Sequence, residues 1–97
     1  MDPRKRLVRK EILRSLKYAG DYGTTAEVIA ATLEGCGHRV TVPEIEQHMQ
    51  YLAGPGKDFI RVLDLAVEGM GRRLVANLLP KGVDLLDGNI PSDPGVA

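Results

Sequence analysis

Ninety-seven residues with 4% aromatics, no tryptophan and one cysteine describe a single domain whose core is built from Leu, Ile, Val and Ala. The lone Cys36 excludes an internal disulfide, no apolar run approaches the ~18 residues of a membrane span, and the basic start lacks the apolar stretch of a secretory signal, so a reducing cytoplasm is the expected setting. Net charge is zero, yet seven of the thirteen cations (Arg4, Lys5, Arg6, Arg9, Lys10, Arg14 and Lys17) precede Tyr18 against only Asp2 and Glu11, so a basic first segment is followed by an acidic remainder.

The first predicted helix runs from about Pro3 to Ala19, opened by the proline and stopped at Gly20. At 100° per residue Val8, Ile12, Leu16 and Ala19 fall in one arc, the expected core stripe. Arg6, Lys10, Arg14 and Lys17 fall in another, and Leu7 lies outside both. The second helix is expected to open on a Thr24/Glu27 capping box, with Val28, Ile29, Thr32 and Leu33 inward, Ala26 at the edge, and Glu27, Ala30, Ala31 and Glu34 outward. Gly35 and Gly37 end it. The third repeats the device with Thr41 and Glu44, places Pro43 in the first turn, and buries Val42, Ile45, Met49 and Leu52.

After Gly54-Pro55-Gly56, the run from Phe59 to Val67 reads as a strand, Glu68-Gly69-Met70-Gly71 as a hairpin turn, and Arg72 to Leu79 as the returning strand. Pro80 opens a short helix with Val83, Leu85 and Leu86 on the core. The fold class is therefore α+β, mainly α: a winged helix-turn-helix of three helices, a two-stranded β-wing and a short C-terminal helix. It occupies residues 1–88, and residues 89–97 form an extended, mobile tail.

Chemistry of other kinds has little to stand on. Cys36 and His38 flank Gly37, but His48 is the one further soft ligand, short of a zinc set. A Cys–His pair two residues apart in a glycine turn provides no oriented base, and neither EGMG nor GPG has the lysine or context of a P-loop. The sequence therefore predicts no enzyme, metal or cofactor.

The order of these phrases resembles a family. The stretch from ILRSLKYAGDYGTTAEVIAATLEGCGHRVTVPEIEQHMQYLAGPGKDFI through VANLLPKGVDLLDGNIPSDPGV is similar to a small winged-helix family carried by Mu-like phages and prophages, over about residues 8–96. The shared features are a GH-containing turn between two helices, a glycine wing, and a threonine–two residues–glycine phrase before the tail. That phrase is Leu79-Pro80-Lys81-Gly82 here, so the capping threonine is missing and Pro80 must start the helix. The resemblance implies a winged helix in a phage-derived setting. More distantly the order is similar to the DNA-binding domains of MarR-like and PadR-like regulators.

On that reading the chain is a small phage- or prophage-type transcriptional regulator that binds double-stranded DNA as a symmetric homodimer. Gln47, Gln50 and Tyr51 on the third helix face the major groove, Lys57, Arg72 and Arg73 at the wing grip phosphate or the minor groove, and Arg6, Lys10 and Arg14 contact flanking backbone. A bland reading stands beside each. Gln47 and Gln50 can be a solvated polar face, since Glu44 and Glu46 share their helix with no cation. Of Arg72 and Arg73 only one can face DNA, the other solubilising an edge strand. The basic arc of the first helix can be solvated, or dock on an acidic helix of a partner chain. The alternative function is a winged-helix protein–protein interaction module without DNA binding, its partner another phage or host protein.

Overall fold

The first helix buries a wider stripe than its four-residue arc, because it is packed on more than one side. The computed structural model describes residues 2–67, 69 and 71–96, without the side chains of residues 66, 67, 71 and 72. Helix α1 (Pro3–Ala19) is capped by the Asp2 carboxylate on the Arg4 amide and lies against the second helix, the last helix and the sheet. Val8, Ile12 and Leu16 are buried as expected. So are Leu13, at 0% exposure, and Arg9, at 9%.

A 3-10 turn (Gly20–Tyr22) leads to a two-residue strand, β1 (Thr24–Thr25), which pairs antiparallel with β3 (Gly71–Leu78) at Ala76 and Val75. Among the described residues the sheet is therefore three-stranded, in the order β1-β3-β2, with β2 (Ile60–Val67) as the other antiparallel neighbour of β3. The two-stranded wing of the sequence reading is only part of it. Gly23 makes the third strand possible: its φ is +68°, and a Cβ there would strike the Ala76 carbonyl oxygen and sit 2.6 Å from Asn77 Nδ2. The Glu68 and Met70 positions of the expected turn lie outside the described residues, and Gly71 opens β3 rather than closing the turn.

Helix α2 (Ala26–Gly35) starts one residue later than the capping box implied. Thr24 has its backbone in the sheet, so Thr25 is the cap, its hydroxyl accepting from the Val28 amide at 3.3 Å. The inward face shifts with it. Ala26, Ile29, Ala30 and Leu33 are buried, whereas Val28 is 53% exposed and Thr32 faces outward.

Helix α3 (Val42–Ala53) follows its pattern closely, burying Ile45, Met49 and Leu52, with Val42 packed beside them. The Thr41 hydroxyl accepts from the Glu44 amide at 3.3 Å and donates to the Glu44 carboxylate at 3.2 Å. Thr41→Ala should destabilise the domain by about 1 kcal/mol, the usual worth of such a cap, read as a lowered thermal midpoint with unchanged helical circular dichroism.

Helix α4 (Pro80–Asp87) begins at the proline with no side-chain cap, as the missing threonine required. Beyond it the chain does not hang free. Val96 is 3% exposed and belongs to the core, and Asp93 is buried. The radius of gyration of 12.7 Å matches the ~12.5 Å of a chain this length packed as one body. Residues 89–96, set apart as an extended tail by their turn formers, instead form a strap across α1 and α3. The polar partners described below hold it. The coarse expectation, a mainly helical α+β fold, is what the structure shows, with four helices among the described residues. No described helix is long and apolar enough to cross a membrane.

Candidate nucleic-acid interface

Helix α3 turns Pro43, Gln47 and Gln50 to solvent, with Glu44 and Glu46 half-buried alongside. Its C-terminal end and the inner side of the sheet enclose a groove of about 470 Å³ lined by Gln50, Ala53, Asp58, Arg61, Asp64 and Leu74, among others. Gln50 and Arg61 thus line one groove between helix and hairpin. Asp58 and Asp64 line the same groove, and their charge opposes a polyanion.

Of the other predicted contacts, Tyr51, Lys57, Arg73 and Arg14 are engaged with the chain itself. The Tyr51 hydroxyl donates to Asp93 Oδ1 at 2.7 Å, and Lys57 Nζ donates to Asp93 Oδ2 at 2.7 Å. The Gly95 amide also donates to Oδ1 at 2.7 Å. The Arg9 guanidinium lies 3.7 Å from the centre of the Tyr51 ring, and Lys57 Nζ lies 5.1 Å from it. Tyr51 and Lys57, placed on DNA by the sequence reading, are the two body residues of a clasp around Asp93.

Arg73 lies 3.8 Å from the Glu27 carboxylate, an ion pair across to α2. Arg72 sits on β3 opposite Ala66, its side chain outside the described residues. On α1, Arg14 is bound to Glu11 at 2.7 Å and Lys17 to Asp87 at 3.2 Å, while Arg6 and Lys10 are half-buried. Lys10 lines a groove with Leu85, Leu86, Ser92, Asp93 and Val96 rather than standing beside α3. The nine predicted residues therefore do not form one surface. Gln47 and Gln50 share the α3 face, Tyr51 and Lys57 the clasp, and the arginines lie apart.

The sequence reading gave no site role to four residues that the structure brings together: Arg9, His48, Asp93 and Gly95. Arg9 Nε donates to His48 Nδ1 at 3.1 Å, and Arg9 Nη1 donates to the Gly95 carbonyl at 3.3 Å. The signal for Arg9 was available, since positions 9, 12, 13 and 16 share one helical face. Asp93, between prolines of an aperiodic segment, had none.

The charges in this cluster are tuned by their surroundings. Burial pushes the Asp93 carboxyl up, but the hydrogen bonds from Lys57, Tyr51 and the Gly95 amide outweigh it and hold it below the usual carboxylate range. The same carboxylate is the main cause that raises Lys57. Burial, then the adjacent Arg9 cation, lowers His48 below the ordinary imidazole value. An imidazole whose Nδ1 accepts from Arg9 must be unprotonated at that nitrogen.

The pH dependence follows from these directions. Below about pH 6.5 the unfolded chain protonates His48 first, so stability should be full at neutral pH and decline as the pH falls through the acid side of that value. His48→Gln keeps an acceptor for Arg9, and its denaturation midpoint should stay flat over the same interval. Asp93, being depressed, should release its contribution only below about pH 4.

Among the described residues no group of three His, Cys, Asp or Glu side chains is placed to hold a metal ion. Cys36 is free and exposed at the end of α2. It lines a groove of about 670 Å³ between α1 and α2, with Tyr18 fully open to solvent on its rim and Val28 in its wall. Comparison with known proteins finds no matching family model, no matching curated protein and no matching solved structure.

Proposed function

We propose that this chain is a winged-helix module that works by contacting another protein through the face shared by α3 and the β2–β3 hairpin. The element order, three helices with a short strand between the first two and a hairpin after the third, supports the winged-helix reading. A single observation carries the function. Beside this face Lys57, a cation that would grip phosphate, is bound to Asp93 of the same chain, while Asp58 lines the groove with Gln50 and Glu46 flanks Gln47. A surface of carboxylates and amides suits a partner rich in N–H donors and cations. The phage or prophage setting of the resemblance goes with this reading, the partner being another phage or host protein.

DNA binding is the second reading. Its support is the exposed Arg61 in the same groove as Gln50, which is the pairing of a phosphate contact with a base-reading amide.

Fluorescence anisotropy of labelled mixed-sequence duplex, titrated at several salt concentrations, separates the two. Each neutralised phosphate contributes about −0.9 to the slope of log affinity against log salt. The interaction module should show no salt-dependent binding. A slope of about −3 or steeper that flattens in Arg61→Ala would establish the DNA reading instead.

A further inference from the structure

One side of the sheet ends in a long edge strand. Among the described residues β2 has a single hydrogen-bonded neighbour, β3, and the register runs from Ile60 opposite Leu78 to Val67 opposite Gly71 without a bulge. Continuing that register, the Leu79 amide donates to the Phe59 carbonyl at 3.0 Å. Hydrogen-bonded pairs alternate along an antiparallel ladder, so Arg61, Leu63 and Leu65 turn their backbone groups towards β3, whereas Val62 and Asp64 turn theirs outward. Folded chains commonly blunt such an edge with lysine, proline, a bulge or a very short strand. β2 is eight residues long, IRVLDLAV, and has neither lysine nor proline. Leu63 and Leu65 are 42% and 46% exposed on it.

We propose that this edge takes up an extended segment of the partner as a fourth strand, one that alternates apolar with basic side chains. The inference rests on reading the face of α3 and the hairpin as a protein-binding surface, and it names the chemistry of what binds there. The outward backbone groups of Val62 and Asp64 supply the ladder. The pleat then sends successive side chains of the added strand to opposite faces. On one face they lie beside Leu63 and Leu65, which suits apolar residues. On the other they lie beside the groove next to α3, where Asp58 and Asp64 share the lining with a single described cation, Arg61. That negative balance selects lysine or arginine. A second copy of β2 would bring the same carboxylates, like against like, so the occupant is a different chain.

A peptide of about ten residues, alternating valine and lysine, is the probe, titrated into the full chain while the backbone amide resonances are followed. It should bind saturably and slow hydrogen exchange at the Val62 and Asp64 amides at least about tenfold, leaving α1 unchanged. The same peptide with glutamate in place of lysine should bind at least about tenfold more weakly, the scale of a charge-assisted contact. Equal affinity for the two peptides overturns the basic character assigned to the partner.

Two N-methylated forms of the lysine peptide test the ladder itself. Methylating the amides of one residue type should abolish binding, and methylating those of the other should spare it, because one edge of the peptide faces β2. Binding that survives both methylations overturns the added strand, as do Val62 and Asp64 amides that exchange unchanged at millimolar peptide. Duplex DNA binding with a salt slope of about −3 or steeper removes the protein-binding reading underneath. Without such binding, unchanged edge amides remove this inference alone.

Discussion

Leu13→Ala should lower the free energy of unfolding by about 2–5 kcal/mol, a large part of the ~5–15 kcal/mol available to a domain of this size. Leu13 has no exposed surface and sits in the core cluster with Ile12, Leu16, Ile29 and Met49. Its removal subtracts transfer free energy and leaves a cavity that packed helices on either side cannot collapse into. Urea unfolding checks this as a lowered midpoint with an unchanged slope. Leu7→Ala, six residues earlier on the same helix and 40% exposed, is the control and should stay within about 0.5 kcal/mol.

Gly95→Ala should release the strap and destabilise the domain by about 1–3 kcal/mol. The new Cβ would collide with the Tyr51 hydroxyl, lie 2.5 Å from Tyr51 Cζ and 2.9 Å from Arg9 Nη1. Either the Tyr51 ring leaves its place under Arg9 or residues 93–96 lift away, and the ring is fixed from both sides. Amide exchange at residues 93–96 should therefore accelerate far more than in α3. In a Tyr51→Phe background the nearest clashing atom is gone, so the double variant should be more stable than the two single losses added together imply. Strict additivity would mean that the strap does not seat against Tyr51.

Local patterns were legible where a residue's fate depends on its neighbours within a few positions. The α3 stripe and the Thr41 cap came through because Val42, Ile45, Met49 and Leu52 repeat at helical spacing and the cap is three residues from its partner. The α2 face was misplaced because β1 takes up Thr24, and that pairing with Ala76 lies far along the chain. Once Thr25 caps the helix, Ala30 rather than Val28 lies inward, where a small side chain permits close packing. On α1 the stripe was drawn too narrow, since periodicity assumes one buried face and α1 meets the second helix, the last helix and the sheet.

The candidate site was harder still. Lys57 and Tyr51 look available for phosphate in any reading that stays near them in sequence. Their true partner, Asp93, is separated by 36 and 42 positions. It sits in a segment whose prolines and small residues signal a loose end. A charge on an apolar stripe, Arg9, was the one local hint that α1 would meet something polar inside.

The bond between Arg9 and the Gly95 carbonyl, 86 positions apart, also sets a clock on biosynthesis. At about 5–20 residues per second a ribosome makes Gly95 roughly 4–17 s after Arg9. Helices α1, α2 and α3 can form and pack within microseconds to milliseconds, long before that. In each nascent chain the cover over Arg9 and Tyr51 therefore waits for residues 93–96, long after both side chains have been made.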